Sequence, residues 1–219
     1  MTIAVAFLQP GWADWEAGPV LAGLRRHYGV QIEVATPDGE PQTSIGGLLA
    51  ASDYKFSDPV LADADVLLLI GSDAWVEYQD EALFSLLRQA HADGKIIGAI
   101  CGATVALARA GLLAGKAHTS NGAEWLAGHA PDYAGIERYV DTPKAVADGK
   151  VVTASGLAPV TFSAATPARA TDPSWAPEPP EAPMAPAILP SIISSSPPSM
   201  AMAPLKIELS VPPFTASWK

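Results

Sequence analysis

The chain has 219 residues, 49% of them hydrophobic, which is enough for one folded domain with or without an additional segment. Its formal net charge of −10 and its lack of Lys and Arg runs argue against nucleic acid or an anionic membrane as the main partner. The single cysteine rules out an internal disulfide and any Cys-x-x-Cys site. The first residues lack the basic region and cleavage signature of a signal peptide, and no apolar run could span a bilayer. We therefore expect a cytoplasmic protein without membrane contact.

The first third of the chain alternates strand and helix patterns. Residues 2–8 and 30–35 are apolar runs of the kind that form buried parallel strands. Between them, Asp14 is predicted to cap a helix over residues 15–28. Two short antiparallel strands at the sheet edge are then predicted at residues 43–50 and 53–56.

Strands and helices continue to alternate through the middle of the chain. The predicted strands cover residues 66–70, 96–100, 117–120, 139–141 and 150–155. The predicted helices cover residues 80–92 and 122–128, with a third that starts at Ala103. This alternation implies an α/β fold with a doubly wound, mostly parallel sheet and helices on both faces, a flavodoxin-like or Rossmann-like three-layer sandwich.

The turn at residue 101 carries the first sign of chemistry. Cys101 stands between the apolar run 96–100 and the helix that starts at Ala103, and Gly102 follows it directly. Small neighbours permit the sharp, strained strand-to-helix turn called a nucleophile elbow, which presents a side chain at the carboxyl edge of the sheet. Because a helix N-terminus favours a thiolate, we expect the pKa of Cys101 to lie below the free-thiol value of about 8.5. The alternative is a buried cysteine that acts as a small hydrophobic residue.

Two motifs around this turn resemble a known family. Residues 98–104 read Gly-Ala-Ile-Cys-Gly-Ala-Thr, and residues 110–121 read Ala-Gly-Leu-Leu-Ala-Gly-Lys-Ala-His-Thr-Ser-Asn. They resemble the ThiJ/PfpI family (the DJ-one superfamily) of class I glutamine amidotransferase-like proteins, over about residues 3–162. That superfamily includes deglycase- or glyoxalase-like enzymes, members described as peptidases, isonitrile hydratases, chaperones and oxidative-stress sensors. The resemblance therefore implies a fold and not one activity.

Three predicted strand ends should meet at one edge of the sheet, near Glu16, near Gly71 and Ser72, and at Cys101. The resemblance places Glu16 where the family has a glutamate that hydrogen-bonds the cysteine. A carboxyl beside a thiolate shares a proton with it, so Glu16 is predicted to be the general acid or base. The N–H groups of Gly71, Ser72 and Gly102 are predicted to form an oxyanion hole, and the Ser72 hydroxyl could narrow it or add a donor. The alternative for Glu16 is an ordinary acidic residue favoured at a helix start. The alternative for Gly71 and Ser72 is a tight strand-to-helix turn without a role in catalysis.

Two further residues are candidates for accessory roles. The resemblance aligns Asn121 with the position where better-known family members carry histidine. His118 lies three residues earlier, and an odd offset within a strand points to the opposite face. We therefore interpret His118 as a structural histidine, with a catalytic Cys–His pair as the alternative.

These observations favour a cysteine-dependent hydrolase or lyase in which Cys101 attacks a small electrophilic carbonyl, such as an α-oxoaldehyde or its adduct. The alternatives are a non-enzymatic oxidative-stress sensor or chaperone that uses oxidation of Cys101, and a binding module for a small metabolite. Glutaminase activity is not expected, because the elbow lacks Cys-x-Gly-x-Gln and no His-x-Glu follows His118. We expect a small-molecule substrate, no metal, no cofactor and a homodimer.

The composition changes after residue 162. All 18 glycines lie at or before Gly156, whereas 13 of the 21 prolines follow Pro159. We predict a ThiJ/PfpI-like domain over residues 1–162 and a disordered Pro/Ala/Ser-rich tail over residues 163–219. The prolines from Pro167 onward come too early for the family's final helix to form from the residues after Phe162.

Overall fold

The computed structural model of the chain describes residues 2–171, with side chains as far as residue 166. These residues form nine strands and five α-helices. The strands are β1 Ile3–Phe7, β2 Gln31–Thr36, β3 Gln42–Thr43, β4 Leu49–Ala50, β5 Tyr54–Lys55, β6 Val66–Leu69, β7 Ile96–Ile100, β8 Val146–Asp148 and β9 Val151–Ala154. The helices are α1 Asp14–Tyr28, α2 Glu81–Ala92, α3 Thr104–Arg109, α4 Ala123–His129 and α5 Pro159–Thr171.

Seven strands form one sheet in the order β5-β2-β1-β6-β7-β9-β8. All neighbours run parallel except β8, which pairs antiparallel with β9 at one edge. The central strands β6, β7 and β9 are buried along their whole length, as expected for parallel strands covered on both faces. The doubly wound, flavodoxin-like fold predicted from the alternation of strands and helices is confirmed.

An apolar layer covers each face of the sheet. Successive side chains of a strand point to opposite faces, so the central strands contribute to both layers. One layer includes buried residues of α2 and α3, and the other includes Val20 and Leu24 of α1 together with Phe162 of α5. Between residues 2 and 171, no helix is both long and apolar enough to cross a membrane. Because the central strands run parallel, their carboxyl ends lie at the same edge of the sheet. The loops that follow these ends hold the candidate site residues.

The predicted cap of α1 is wrong. Asp14 lies in the first turn of the helix, and the N-cap position belongs to Ala13. The Asp14 carboxylate instead accepts a hydrogen bond of 2.7 Å from the Gly46 N–H, in the loop between β3 and β4. A tertiary partner thus replaces the local capping bond that the sequence pattern predicts.

The short edge elements also differ from prediction. Residues 54–55 join the main sheet parallel to β2, whereas β3 and β4 form a separate antiparallel pair. The segments 117–120 and 139–141 form no regular strand and are joined by an isolated parallel bridge between His118 and Tyr139 and by hydrogen bonds of the Tyr139 hydroxyl to the Ser120 backbone. The antiparallel edge strand is β8 instead. Elements of two or three residues carry too little periodicity to identify their pairing partners.

The helix α5 begins at Pro159 and continues to Thr171, so a helix does form from residues after Phe162, where none was predicted. Pro159 occupies the first helical position, where a missing N–H costs little. Phe162 and Thr166 are one turn apart on the same face of the helix and both are fully buried. The burial of these side chains stabilises the helix and offsets the helical hydrogen bond that Pro167 removes. The remainder of the predicted disordered tail, residues 172–219, lies outside the described residues.

We expect Phe162→Leu to lower the free energy of unfolding by about 1.5 kcal/mol. The Phe162 ring packs closely against Gly98 of β7, since a Cβ added at Gly98 would lie 3.0 Å from its Cζ. Val160→Ala is the matched control, because Val160 is 73% exposed on the same helix. Urea unfolding of both variants measures the difference, and equal stabilities would show that α5 does not pack on the sheet.

Candidate active site

The predicted turn at Cys101 is present. Strand β7 ends at Ile100, residues 101–103 form a 3-10 turn, and α3 starts at Thr104. Cys101 has a φ of +59°, and among the described residues no other non-glycine residue has a positive φ. A left-handed conformation costs a non-glycine residue about 1–2 kcal/mol, and such strain is concentrated at functional sites. The side chain is half-buried at the carboxyl edge of the sheet.

Glu16 lies in the first turns of α1 and is fully buried. Its Oε2 accepts a hydrogen bond of 2.9 Å from the Gly71 N–H. Its Oε1 has no well-aligned donor among the described residues, and it faces the sulfur, because a Cβ added at Gly156 would lie 2.9 Å from both Oε1 and Cys101 Sγ. Burial raises the pKa of the Glu16 carboxyl from 4.5 to about 7, and contacts with the thiol and with Gly71 N–H only partly offset this rise. Glu16 can therefore hold or release a proton at neutral pH.

Gly71 and Gly156 pack against this pair, and Gly102 allows two of the surrounding loops to approach. A Cβ at Gly71 would lie 2.2 Å from Glu16 Oε2 and 2.7 Å from Cys101 Cβ. A Cβ at Gly102 would lie 2.4 Å from the Ser72 carbonyl oxygen, so the two loops approach backbone to backbone. Gly156, which was not among the predicted site residues, follows β9 and closes the third side. The rule that ligands bind beyond the carboxyl ends of parallel strands could have identified it, since β9 is a neighbour of β7.

Asn121 reaches the sulfur from the loop before α4. Its Oδ1 accepts a hydrogen bond of 3.0 Å from the Gly156 N–H, which can only donate, so the amide orientation is determined and Nδ2 faces Cys101 Sγ at 3.2 Å. Trp15 Nε1 donates to the Gly156 carbonyl at 3.1 Å and holds the same loop. Asn121 is thus a fixed donor to the sulfur, and it cannot act as a base.

The expectation of a lowered thiol pKa is wrong. Burial and the negative charge of Glu16 raise the pKa of Cys101 to about 11, although the Asn121 amide and the Gly102 N–H pull it down. Burial and the carboxylate charge together raise the thiol pKa more than the start of the helix lowers it. Because the two groups are coupled, the pair loses its first proton at a lower pH than its second, and in between one proton is shared by sulfur and carboxyl.

The predicted oxyanion hole has one donor fewer than expected. The Gly71 N–H is already bound to Glu16 Oε2, because both meet at the end of β6. The Ser72 hydroxyl donates to the Pro10 carbonyl at 2.5 Å and accepts the Ala74 N–H at 3.1 Å, so it does not add a donor to the site. The N–H groups of Ser72 and Gly102 are the two predicted donors that these contacts do not use.

The hydrogen bonds of the His118 ring are made to Lys116 and Tyr133 and not to the sulfur. The imidazole is fully buried, with Nδ1 2.7 Å from the Lys116 carbonyl and Nε2 against the Tyr133 hydroxyl. A carbonyl can only accept, so Nδ1 carries the proton and Nε2 accepts from Tyr133. Burial lowers the pKa of His118, which keeps the ring neutral. The arrangement is that of a structural histidine.

We expect His118→Ala to lower the free energy of unfolding by about 1–2 kcal/mol, since it leaves the Lys116 carbonyl and the Tyr133 hydroxyl unpaired. The rate at which iodoacetamide alkylates Cys101, measured across pH, should stay as in the wild type. A change in that pH profile would restore the Cys–His alternative.

A cleft of about 490 Å³ opens next to the pair. Its lining residues are Ser120, Asn121, Gly122, Tyr139, Asp141, Thr142, Pro143, Ser155 and Leu157. Asn121 lines the cleft and also contacts Cys101 Sγ, so the cleft adjoins the sulfur site. In the described part of the chain no three His, Cys, Asp or Glu side chains are grouped as metal ligands would be.

Comparison with known proteins identifies the family of this chain. The chain is 34% identical over 158 residues to the uncharacterized protease YoaZ of Bacillus subtilis, which is 69% of this chain and 75% of that protein. It is 31% identical over 164 residues to the uncharacterized protease YdeA of the same organism, covering 74% and 80% of the two chains. A DJ-1 superfamily protein of Agrobacterium tumefaciens superposes with a TM-score of 0.71 at 36% identity, over 77% of this chain and 89% of that one. The sequence profile of the DJ-1/PfpI family matches residues 1–166, and this chain therefore belongs to the DJ-1/PfpI family.

Proposed function

We propose that this protein is a cysteine-dependent hydrolase or lyase that acts on small electrophilic carbonyls, in the manner of a glyoxalase or deglycase. One observation carries the proposal. The buried Glu16 carboxyl, with a pKa of about 7, faces the side chain of Cys101, whose backbone is held in a left-handed conformation. A thiol whose own pKa is raised needs a neighbouring acceptor for its proton, and Glu16 is placed to be that acceptor.

The first step would proceed from the form in which the proton lies on Glu16 and the negative charge on Cys101 Sγ. Sγ forms a bond to the carbonyl carbon, the π electron pair moves to oxygen, and the oxygen takes the proton from Glu16. The product is a thiohemiacetal with Glu16 ionised and ready to accept a proton in the next step. The N–H groups of Ser72 and Gly102 are suited to hold the developing oxyanion.

Peptide hydrolysis fits the site less well. The two Bacillus subtilis relatives carry the name protease, and the family is hydrolase-like. The polar group 3.2 Å from the sulfur is nevertheless the Asn121 amide, which cannot take a proton and pass it to a leaving amine. All proton transfer would depend on Glu16, which suits addition to an activated carbonyl better.

A second candidate function is a stress sensor or chaperone that responds to oxidation of Cys101. Three groups converge on the sulfur: the Asn121 amide, the Gly102 N–H and the Glu16 carboxyl. These donors would stabilise the oxygens of a sulfenate or sulfinate formed by peroxide.

Two incubations distinguish these functions. We expect methylglyoxal to be consumed over many turnovers per protein molecule with release of a hydroxy acid, while the intact mass of the protein returns to its starting value. Peroxide treatment beforehand should block this turnover. If methylglyoxal instead gives at most one modification per protein molecule, while peroxide adds oxygen atoms to Cys101, the sensor is favoured and the enzyme is not.

We also propose a homodimer located in the cytoplasm. Support for the dimer comes from apolar side chains left exposed near the site: Trp15 and Leu157 are 48% and 95% exposed. Trp15 and Leu157 lie together, because the Trp15 indole bonds the Gly156 carbonyl. A sedimentation measurement that gives the mass of a single chain would contradict the dimer.

A further inference from the structure

We propose that the cleft beside Cys101 is a subsite for the non-reacting part of the substrate, and that Asp141 makes it select neutral or cationic groups over anionic ones. The proposal rests on the proposed function, because it assigns the cleft to the same reaction. It concerns binding next to the sulfur and not the chemical step itself.

The position of the cleft comes from Asn121. Its amide contacts Cys101 Sγ at 3.2 Å, and the same residue lines the cleft. A molecule whose carbonyl carbon meets the sulfur can therefore extend its other end along these walls. A volume of about 490 Å³ falls within the range of roughly 300–1,000 Å³ that holds whole ligands. A three-carbon dicarbonyl alone would leave most of this space to water.

The chemistry of the walls defines the class of group. Tyr139 and Leu157 supply apolar surface, Thr142 and Ser155 supply hydroxyls, and Asp141 is the one charged residue among the lining residues. The nearby Lys144 is exposed and does not line the cleft. An anionic group, such as the carboxylate of an α-oxo acid, would meet the charge of Asp141 and the single negative charge that Cys101 and Glu16 share, with no opposing cation among the lining residues.

Two methanethiosulfonate reagents of nearly equal size test this directly: one carries a trimethylammonium group and the other a sulfonate. Each forms a disulfide with the Cys101 thiolate and releases methanesulfinate, so no turnover is needed. At low salt we expect the ratio of the cationic to the anionic rate to fall about threefold in Asp141→Asn, as loss of one exposed charge predicts.

Asp63→Asn is the matched control, because it removes an equal, exposed charge just before β6, at the opposite edge of the sheet. Its rate ratio should equal that of the wild type. An unchanged ratio in Asp141→Asn, an equal fall in both variants, or failure of both reagents to reach Cys101 would each overturn the subsite. Absence of methylglyoxal turnover would contradict the proposed function and leave these ratios unaffected, so the two failures are distinguishable.

Discussion

Glu16→Gln should reduce turnover of an α-oxoaldehyde by about 10²–10⁴-fold while making Cys101 easier to alkylate. Turnover falls because glutamine can keep the contact with the Gly71 N–H but cannot carry a proton. Alkylation speeds up because the negative charge of Glu16 is one cause of the raised pKa of Cys101, and the amide is neutral. Iodoacetamide rates and methylglyoxal consumption, measured on the same samples at pH 8, should therefore change in opposite directions.

The control for this variant is Glu77→Gln, which changes an exposed carboxyl in the loop after β6. It should match the wild type in both assays. If Glu16→Gln slows alkylation and turnover to the same extent, the carboxyl serves to organise the thiol, and its role as proton carrier is wrong.

The same variant should change how stability depends on pH. The folded chain raises the pKa of Glu16 from 4.5 to about 7, so between these values the folded state holds a proton that the unfolded state has lost. The wild-type free energy of unfolding should therefore fall as the pH rises from 4.5 to 7, and this contribution should be absent in Glu16→Gln. Urea unfolding at the two ends of this interval measures the slope, and equal slopes would contradict the buried, neutral carboxyl.

Gly71→Ala should abolish most thiol chemistry and lower the free energy of unfolding by about 2–3 kcal/mol. The added methyl group would lie 2.2 Å from Glu16 Oε2 and 2.7 Å from Cys101 Cβ, which are distances that real atoms do not adopt. Either the carboxyl leaves its bond to the Gly71 N–H or the turn at Cys101 opens. In both cases the carboxyl and the sulfur separate.

Gly18→Ala tests whether the effect is local. Gly18 lies in α1, two residues after Glu16, and apart from its chain neighbours and the backbone of its own helix nothing lies within 4 Å of a Cβ added there. The gain in helix propensity is opposed by Pro19, which disfavours the helical conformation of a preceding residue with a Cβ, so alanine should change the stability by less than about 1 kcal/mol and leave the alkylation of Cys101 unchanged. If Gly71→Ala retained wild-type turnover, the close packing of Gly71 against Glu16 and Cys101 would not matter for function.

Most of the fold could be predicted because its signals are local. The apolar runs of β1, β6 and β7, each followed by a helical pattern, are sufficient to indicate a doubly wound sheet. The helix α5 could not be predicted in the same way. Pro167 is an unfavourable helical signal, and its alanines favour a helix without marking an apolar face. The helix depends on the burial of Phe162 and Thr166 against a sheet that forms from distant segments.

The sequence by itself identified Cys101 through a local pattern, a strand end followed by small residues and a helix start. It identified Glu16 through the expected position of that residue near a strand end and through the family resemblance. Only the tertiary structure decided how these groups behave. The Gly71 N–H binds Glu16 across 55 positions of the chain, and Asn121 connects Cys101 to Gly156 through two hydrogen bonds. Burial of the pair raises both pKa values, although the helix start alone favours a thiolate. Desolvation and donor geometry depend on atoms that meet only after folding, so no pattern along the chain contains them.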